Sequence, residues 1–245
     1  MNKFKKKTRS KMIAASIAIL SSAAVVSTGF AAWVISGGDT KEATGTITAD
    51  AVSNSYHTIK LGETNKTEIN FGAPAVDNTV TNPWLTNDSM GQEKLLAEFT
   101  FTVGNVKTGE DTPKKLFSSI SLSAGADTTY GAASKAGLVS TLPTSWAKDT
   151  FDAEPPSYDS KTGEGSAAGI YLVKTSGTAT EAGAEFGFTL YIQFTWGQIF
   201  GGKNPFYFYN VGNKTASADG NSAKSNLDTV AAIKNVTFTL TIKAN

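Results

Sequence analysis

Glu185–Gly197 reads EFGFTLYIQFTWG. Phe186, Phe188, Leu190, Ile192, Phe194 and Trp196 share one parity, and Thr189, Tyr191, Gln193 and Thr195 share the other. A period of two sends successive side chains to opposite faces of a strand, whereas a helix would scatter the same residues around its axis. Burying six large apolar side chains at ~1.5–3 kcal/mol each makes this the expected central strand of a sheet.

The same alternation recurs on either side. Lys94–Val103 (KLLAEFTFTV) sets Leu95, Ala97, Phe99, Phe101 and Val103 against Glu98, Thr100 and Thr102. Val236–Ile242 (VTFTLTI) sets Val236, Phe238, Leu240 and Ile242 against threonines. Shorter strand signals lie at Gly45–Asp50, Ser55–Lys60, Leu116–Ser123 and Gly169–Lys174. Phe71-Gly72-Ala73-Pro74 and Asn82-Pro83-Trp84 read as turns or an edge, because proline donates nothing to a ladder. Helical spacing is found at Asn221–Lys234, where Leu227, Val230, Ala231 and Ile233 recur. The long stretch 124–166, rich in Gly, Ala, Ser, Thr, Asp and Pro, reads as an insertion with a short helix or hairpin around Tyr130–Leu138. The inventory predicts an all-β chain: an antiparallel β-sandwich or jelly roll with one or two short helices.

Charge divides the 245 residues unevenly. Lys3, Lys5, Lys6, Lys7, Arg9 and Lys11 form a basic start without an acid, and Met12–Gly38 carries no charge at all. A basic head, an apolar run and the small-residue exit Gly29-Phe30-Ala31-Ala32 predict a secretory signal peptide over residues 1–32, with the cut between Ala32 and Trp33. The alternative is a retained N-terminal anchor, since 27 uncharged residues are long enough to span a bilayer. Residues 33–245 hold 16 lysines and 21 acids, a net charge of −5 that makes nucleic acid a poor partner. The expected domains are 1–32 as signal peptide, 33–45 as an N-terminal segment and 46–245 as the sandwich.

The chemical inventory is sparse. There is no cysteine, which excludes disulfides, thiolate metal sites and a cysteine nucleophile. His57 is the single histidine, so no HExxH zinc motif or multi-imidazole site can form, and it reads as an ordinary partly buried or surface side chain. No GxSxG elbow or glycine-rich phosphate loop occurs, and Gly201-Gly202-Lys203 lacks the spacing of one. A carboxylate pair such as Glu98 with Glu185 remains open for glycoside hydrolysis. Asp149, Asp152 and Asp159 offer hard oxygens for a weak calcium site, or a solvated acidic loop. No catalytic residue, metal or cofactor is assigned, and the chain is not expected to be an enzyme.

Two features point instead to surfaces. The run Phe206, Tyr207, Phe208 and Tyr209 follows Asn204-Pro205 and is a candidate interface for protein or glycan, or a loop closing one end of the sandwich. The threonine faces put little charge beside strand edges, which tolerates pairing with a further strand.

The start MNKFKKK, the small-residue apolar run, the exit Gly29-Phe30-Ala31-Ala32-Trp33 and the stretch Thr44–Asp50 (TGTITAD) resemble the TasA/camelysin-type secreted proteins of Gram-positive bacteria. The likeness covers about residues 1–51. It implies processing by a dedicated signal peptidase, a jelly-roll domain and assembly into extracellular fibres of a biofilm matrix. Carried onto this chain, Trp33–Ala51 would act as a donor strand, with Trp33, Val34, Ile35, Thr46 and Ile47 as assembly residues. The Phe-x-Asp usual after the cut in that family is replaced here by Trp33-Val34-Ile35. Camelysin-like members have carried a metallopeptidase label, for which this chain lacks the histidines. The expected partners are the signal peptidase, further copies of the chain and other matrix or cell-surface components. A secreted adhesin or binding module built on Phe206–Tyr209 is the alternative.

Overall fold

A computed structural model of the chain describes residues 44–52, 57–63, 65–72, 93–125, 128–178, 183–209, 220–233 and 236–245. The basic start, the signal region, the Ala32–Trp33 cut, the anchors Trp33, Val34 and Ile35, and the Asn82-Pro83-Trp84 turn lie outside the described residues.

Eight strands occur among the described residues: β1 (Thr44–Val52), β2 (Thr58–Leu61), β3 (Glu68–Asn70), β4 (Leu96–Val106), β5 (Phe117–Ala124), β6 (Gly169–Ser176), β7 (Ala184–Gln193) and β8 (Val236–Ala244). They form two four-stranded sheets, ordered β3-β1-β8-β5 and β2-β4-β7-β6. The central stretch behaves as its parity requires. Phe186, Phe188, Leu190, Ile192, Phe194 and Trp196 are all 2% exposed or less. In register, Leu190 of β7 sits opposite Phe99 of β4 and Leu172 of β6.

The two sheets meet through aromatic rings. Phe101 and Phe188 stack at 5.3 Å within one sheet, and Phe117 of the other meets them edge-on at 5.9 and 5.4 Å. A second group gathers Phe194 and Phe238 at 5.3 Å, with Tyr130 and Phe71 against them. Edge-on and offset pairs of this kind add ~0.5–1.5 kcal/mol each beyond the area they bury. The result is a sandwich-like body with one continuous core.

Two parts of the all-β expectation are corrected. Among the described residues four helices are present where one or two were expected: α1 (Pro113–Leu116), α2 (Thr129–Lys135), α3 (Pro205–Tyr207) and α4 (Gly220–Ala231), with a further turn of 3₁₀ helix at Gln198–Phe200. The extra ones are short and set by local chemistry: proline opens both α1 and α3. α4 buries Ala223, Leu227 and Val230, a spacing of four and three that places them on one face. The second correction is that the sheets are not wholly antiparallel. β1 runs parallel to β8 over eight register pairs from Gly45↔Val236 to Val52↔Lys243. Parallel neighbours need a crossover rather than a hairpin, and here everything between β1 and β8 serves as that crossover.

The insertion at 124–166 supplies α2 where the short helix was expected. Tyr130 is buried, and its hydroxyl donates to the Ser140 carbonyl at 2.9 Å. Burial pushes this phenol above its ordinary range. Two further parts of the insertion lie along strand edges. Leu122 N–H donates to Thr144 and Trp146 N–H to Ile120, which covers the outer edge of β5. Asp152 N–H donates to Leu172, whose own N–H donates to the Asp152 carboxylate, which covers β6. Uncharged threonine faces therefore coexist with edges blocked by the chain itself. β3 went unpredicted, and its outer side is also used: Asn70 and Lys94 exchange two main-chain hydrogen bonds, as do Lys66 and Glu98.

Phe188→Ala removes a ring that touches Phe101, Phe117, Phe151 and Phe186. Urea denaturation should show a loss of about 3–5 kcal/mol. Thr237→Ala, at an exposed position of β8, should stay within about 0.5 kcal/mol.

Candidate functional site

The aromatic run after β7 is built around Asn204, which is fully buried. Its side-chain oxygen accepts from Tyr207 N–H at 2.6 Å and caps α3, while Pro205 supplies the first helical position. Its Nδ2 donates to the Ser160 and Lys161 carbonyls at 3.1 and 3.0 Å, and its main-chain N–H donates to Thr162. One side chain thus fastens the 160–162 loop to the start of the aromatic run. Gly163 makes this approach possible: φ is 78°, and a Cβ there would lie 2.4 Å from Asn204 N.

The four aromatics point mostly inward. Phe208 and Tyr209 pack edge-on at 5.0 Å, and both meet Phe200 at 5.9 and 6.1 Å, which in turn meets Trp196 at 5.8 Å. Tyr209 is 8% exposed, and burial raises its phenol despite a hydrogen bond with Asn226. Phe206, Tyr207 and Phe208 are half-buried, and the Lys203 ammonium lies 5.0 Å from the Tyr207 ring. Of the two readings of this run, closure of one end of the core accounts for Phe208 and Tyr209. Phe206 and Tyr207 retain surface.

Thr46 and Ile47 occupy the interior of a sheet. Thr46 is paired on one side with Glu68 and on the other with Thr237. Ile47 is fully buried, and its N–H donates to the Thr67 carbonyl at 3.0 Å. In this chain both positions are engaged with its own strands, so contact with another copy through them requires β1 to change partners.

The carboxylates singled out from sequence do not converge. Glu98 lies opposite Tyr191, six positions along β7 from Glu185, which puts the two acids about 20 Å apart. A retaining glycosidase needs ~5–5.5 Å. Glu98 is paired instead with Lys66 at 2.7 Å. Asp149 pairs with Lys114 at 2.8 Å, Asp152 engages Lys148 and Leu172, and Asp159 accepts from Lys161 N–H at 2.8 Å. Among the described residues no group of three or more His, Asp or Glu side chains could hold a metal ion.

Two polar residues were missed or misjudged. Asn204 is the residue that organises the aromatic run, and its signal was the Asn-Pro pair itself, a cap followed by a first-turn proline. His57 is not a surface side chain: it is 3% exposed and its ring lies between Glu110 and Asn245.

Asn204→Ala should cost about 1–2 kcal/mol through loss of the cap, and should raise amide exchange at residues 160–162 and 205–209 while leaving β4 and β7 protected. Equal loss of protection across β4 and β7 would show that Asn204 does not act locally. Comparison with protein-family models, curated proteins and solved structures finds no match to the chain.

Proposed function

We propose that the protein is a secreted structural subunit of extracellular-matrix or cell-surface fibres, released by a signal peptidase at Ala32–Trp33 and assembling through its N-terminal segment. The observation that carries the reading is the place of β1. The segment that follows the expected cut leads directly into a strand held between β3 and β8, and its eight-pair ladder with β8 is parallel. A parallel partner needs no hairpin to hold it in register, so the same ladder can be made with β8 of a neighbouring copy. Main-chain bonds then supply affinity. A head-to-tail exchange of this kind does not close on itself and yields filaments.

In this reading the two sheets form the jelly roll of the TasA/camelysin-type proteins, and Trp33, Val34 and Ile35 anchor the donor segment ahead of Thr46 and Ile47. The covered edges of β5 and β6 support it, because they withdraw two of the four sheet edges from simple edge addition. The chain acts without a cofactor, and its partners are further copies and other matrix or cell-surface components outside the cell. The alternative, a secreted adhesin using Phe206–Tyr209, draws support from the surface that Phe206 and Tyr207 retain.

Electron microscopy of the secreted protein, with N-terminal sequencing, tests the proposal. The expected result is fibres from a chain that begins at Trp33, and loss of fibres when residues 33–51 are removed. A shorter deletion of 33–43, which leaves β1 in place, should also suppress them. Secreted protein that stays monomeric at high concentration would overturn the assembly reading. Glycan or host-protein binding lost in Tyr207→Ala would then favour the adhesin.

A further inference from the structure

The solvent side of β4 begins with a leucine set between charges. Leu96 is half-buried, and its parity is shared with exposed Lys94 and half-buried Glu98, while Leu95 and Ala97 point into the core. Lys66 bridges to Glu98 and Asn70 to Lys94 in antiparallel register, which sets Glu68 opposite Leu96. On the other side Leu96 meets Gln193, and Glu98 meets Tyr191 of β7, whose next neighbour is Tyr171 of β6. A cavity of about 410 Å³ opens on this corner, lined by Asn65, Lys66, Thr67, Glu68, Lys94 and Leu96. That volume is within the range of small-ligand sites.

The chemistry around the cavity narrows what it can hold. Lys66 Nζ lies 2.7 Å from the Glu98 carboxylate and Lys94 Nζ lies 3.0 Å from Glu68. Two ammonium groups face two carboxylates, so the rim carries no surplus of either sign and an ion would have to break a pair. An extended peptide has no edge to join. Lys66 and Glu98 exchange main-chain hydrogen bonds, as do Asn70 and Lys94, and the far side of β3 is paired with β1. Recognition here therefore falls to side chains: a leucine floor, a tyrosine beside it, and closely spaced donors and acceptors at the rim. The Tyr171 ring is already engaged, since it lies across Gly169, where a Cβ would be 3.2 Å from it, and the Lys148 ammonium sits 4.9 Å from its centre. Tyr191 is the ring next to the cavity, opposite Glu98 in register.

We propose that this corner of β3 and β4 is a binding site for a neutral glycan, seated over Leu96 against Tyr191, with its hydroxyls bridging the Lys66–Glu98 and Lys94–Glu68 pairs. A hydroxyl donates and accepts at once, so it can give its proton to a carboxylate while taking one from the neighbouring ammonium. The C–H face of a pyranose has the shape and polarity to rest on a leucine and an amphipathic ring. The site is separate from Phe206–Tyr209 and makes no use of the β1–β8 ladder, so it stands or falls independently of the assembly reading.

The test applies the purified full chain to an array of neutral and charged glycans, then titrates the strongest neutral hit into the protein and its variants. Neutral glycans should dominate, with an affinity that changes less than about twofold when salt is raised to about 0.5 M, because no net charge is neutralised. Tyr191→Ala and Leu96→Asp should each weaken binding about tenfold, the loss of one central contact. Lys66→Ala combined with Lys94→Ala removes two exposed ammonium groups without entering the core, and should weaken it by about the same factor. Tyr207→Ala should leave it unchanged. An array with no neutral hit, binding confined to charged glycans, or full affinity in the double lysine variant overturns the proposal even where Tyr191→Ala or Leu96→Asp fails to fold. Binding lost in Tyr207→Ala would place the glycan on the aromatic run and overturn it as well.

Discussion

The pleat of β7 is the constraint on which the rest of the structure depends. Because alternate side chains must face opposite ways, Phe186, Phe188, Leu190 and Ile192 go to one side, Phe194 and Trp196 are buried just beyond the strand, and together they demand a second layer to cover them. That layer is supplied by β8 and β5, whose Phe238 and Phe117 insert between the rings of the first sheet. The insertion adds Tyr130 against Phe194 and Phe151 against Phe188. Moving β7 by one residue would turn Phe186, Phe188, Leu190 and Ile192 outward, so register here is set by core burial rather than by turns.

This dependence explains what was legible in the sequence. Strands β4, β7 and β8 announce themselves because each is long enough to show its alternation, and the helical spacing of Leu227 and Val230 identifies α4 in the same way. β3 was missed because three residues cannot display a period. Its assignment rests on main-chain bonds to β1 and to Lys94, both distant in sequence. The parallel pairing of β1 with β8 was equally hidden, since strand patterns record which face is buried but not which strand lies alongside. Gln193 shows the limit of parity: it falls on the polar side of β7, yet it is fully buried opposite Leu96 and Gly169.

The candidate sites were less readable than the fold. Nothing in Phe206–Tyr209 distinguishes rings that close a core from rings that meet a partner, and the arrangement turns on Asn204 reaching a loop some forty residues earlier. His57 depends on Glu110 and on Asn245, the latter 188 positions away. Thr46 and Ile47 read as strand residues and are such, but the sequence around them says nothing about whether their ladder belongs to one chain or two.

That last distinction is the heart of the assembly proposal, and the absence of native cysteine makes it accessible. Thr46 and Thr237 are register partners across the β1–β8 ladder, close enough in neighbouring strands for a disulfide to bridge them. One population of the secreted protein would carry Thr46→Cys and a second Thr237→Cys, and the two would be mixed under oxidising conditions as fibres form. Strand exchange predicts disulfide-linked dimers between the two variants, and far fewer when Thr46→Cys is mixed with the off-register Thr241→Cys. Fibres that form without any Thr46–Thr237 link between copies, while a chain carrying both cysteines bridges within itself, would contradict it.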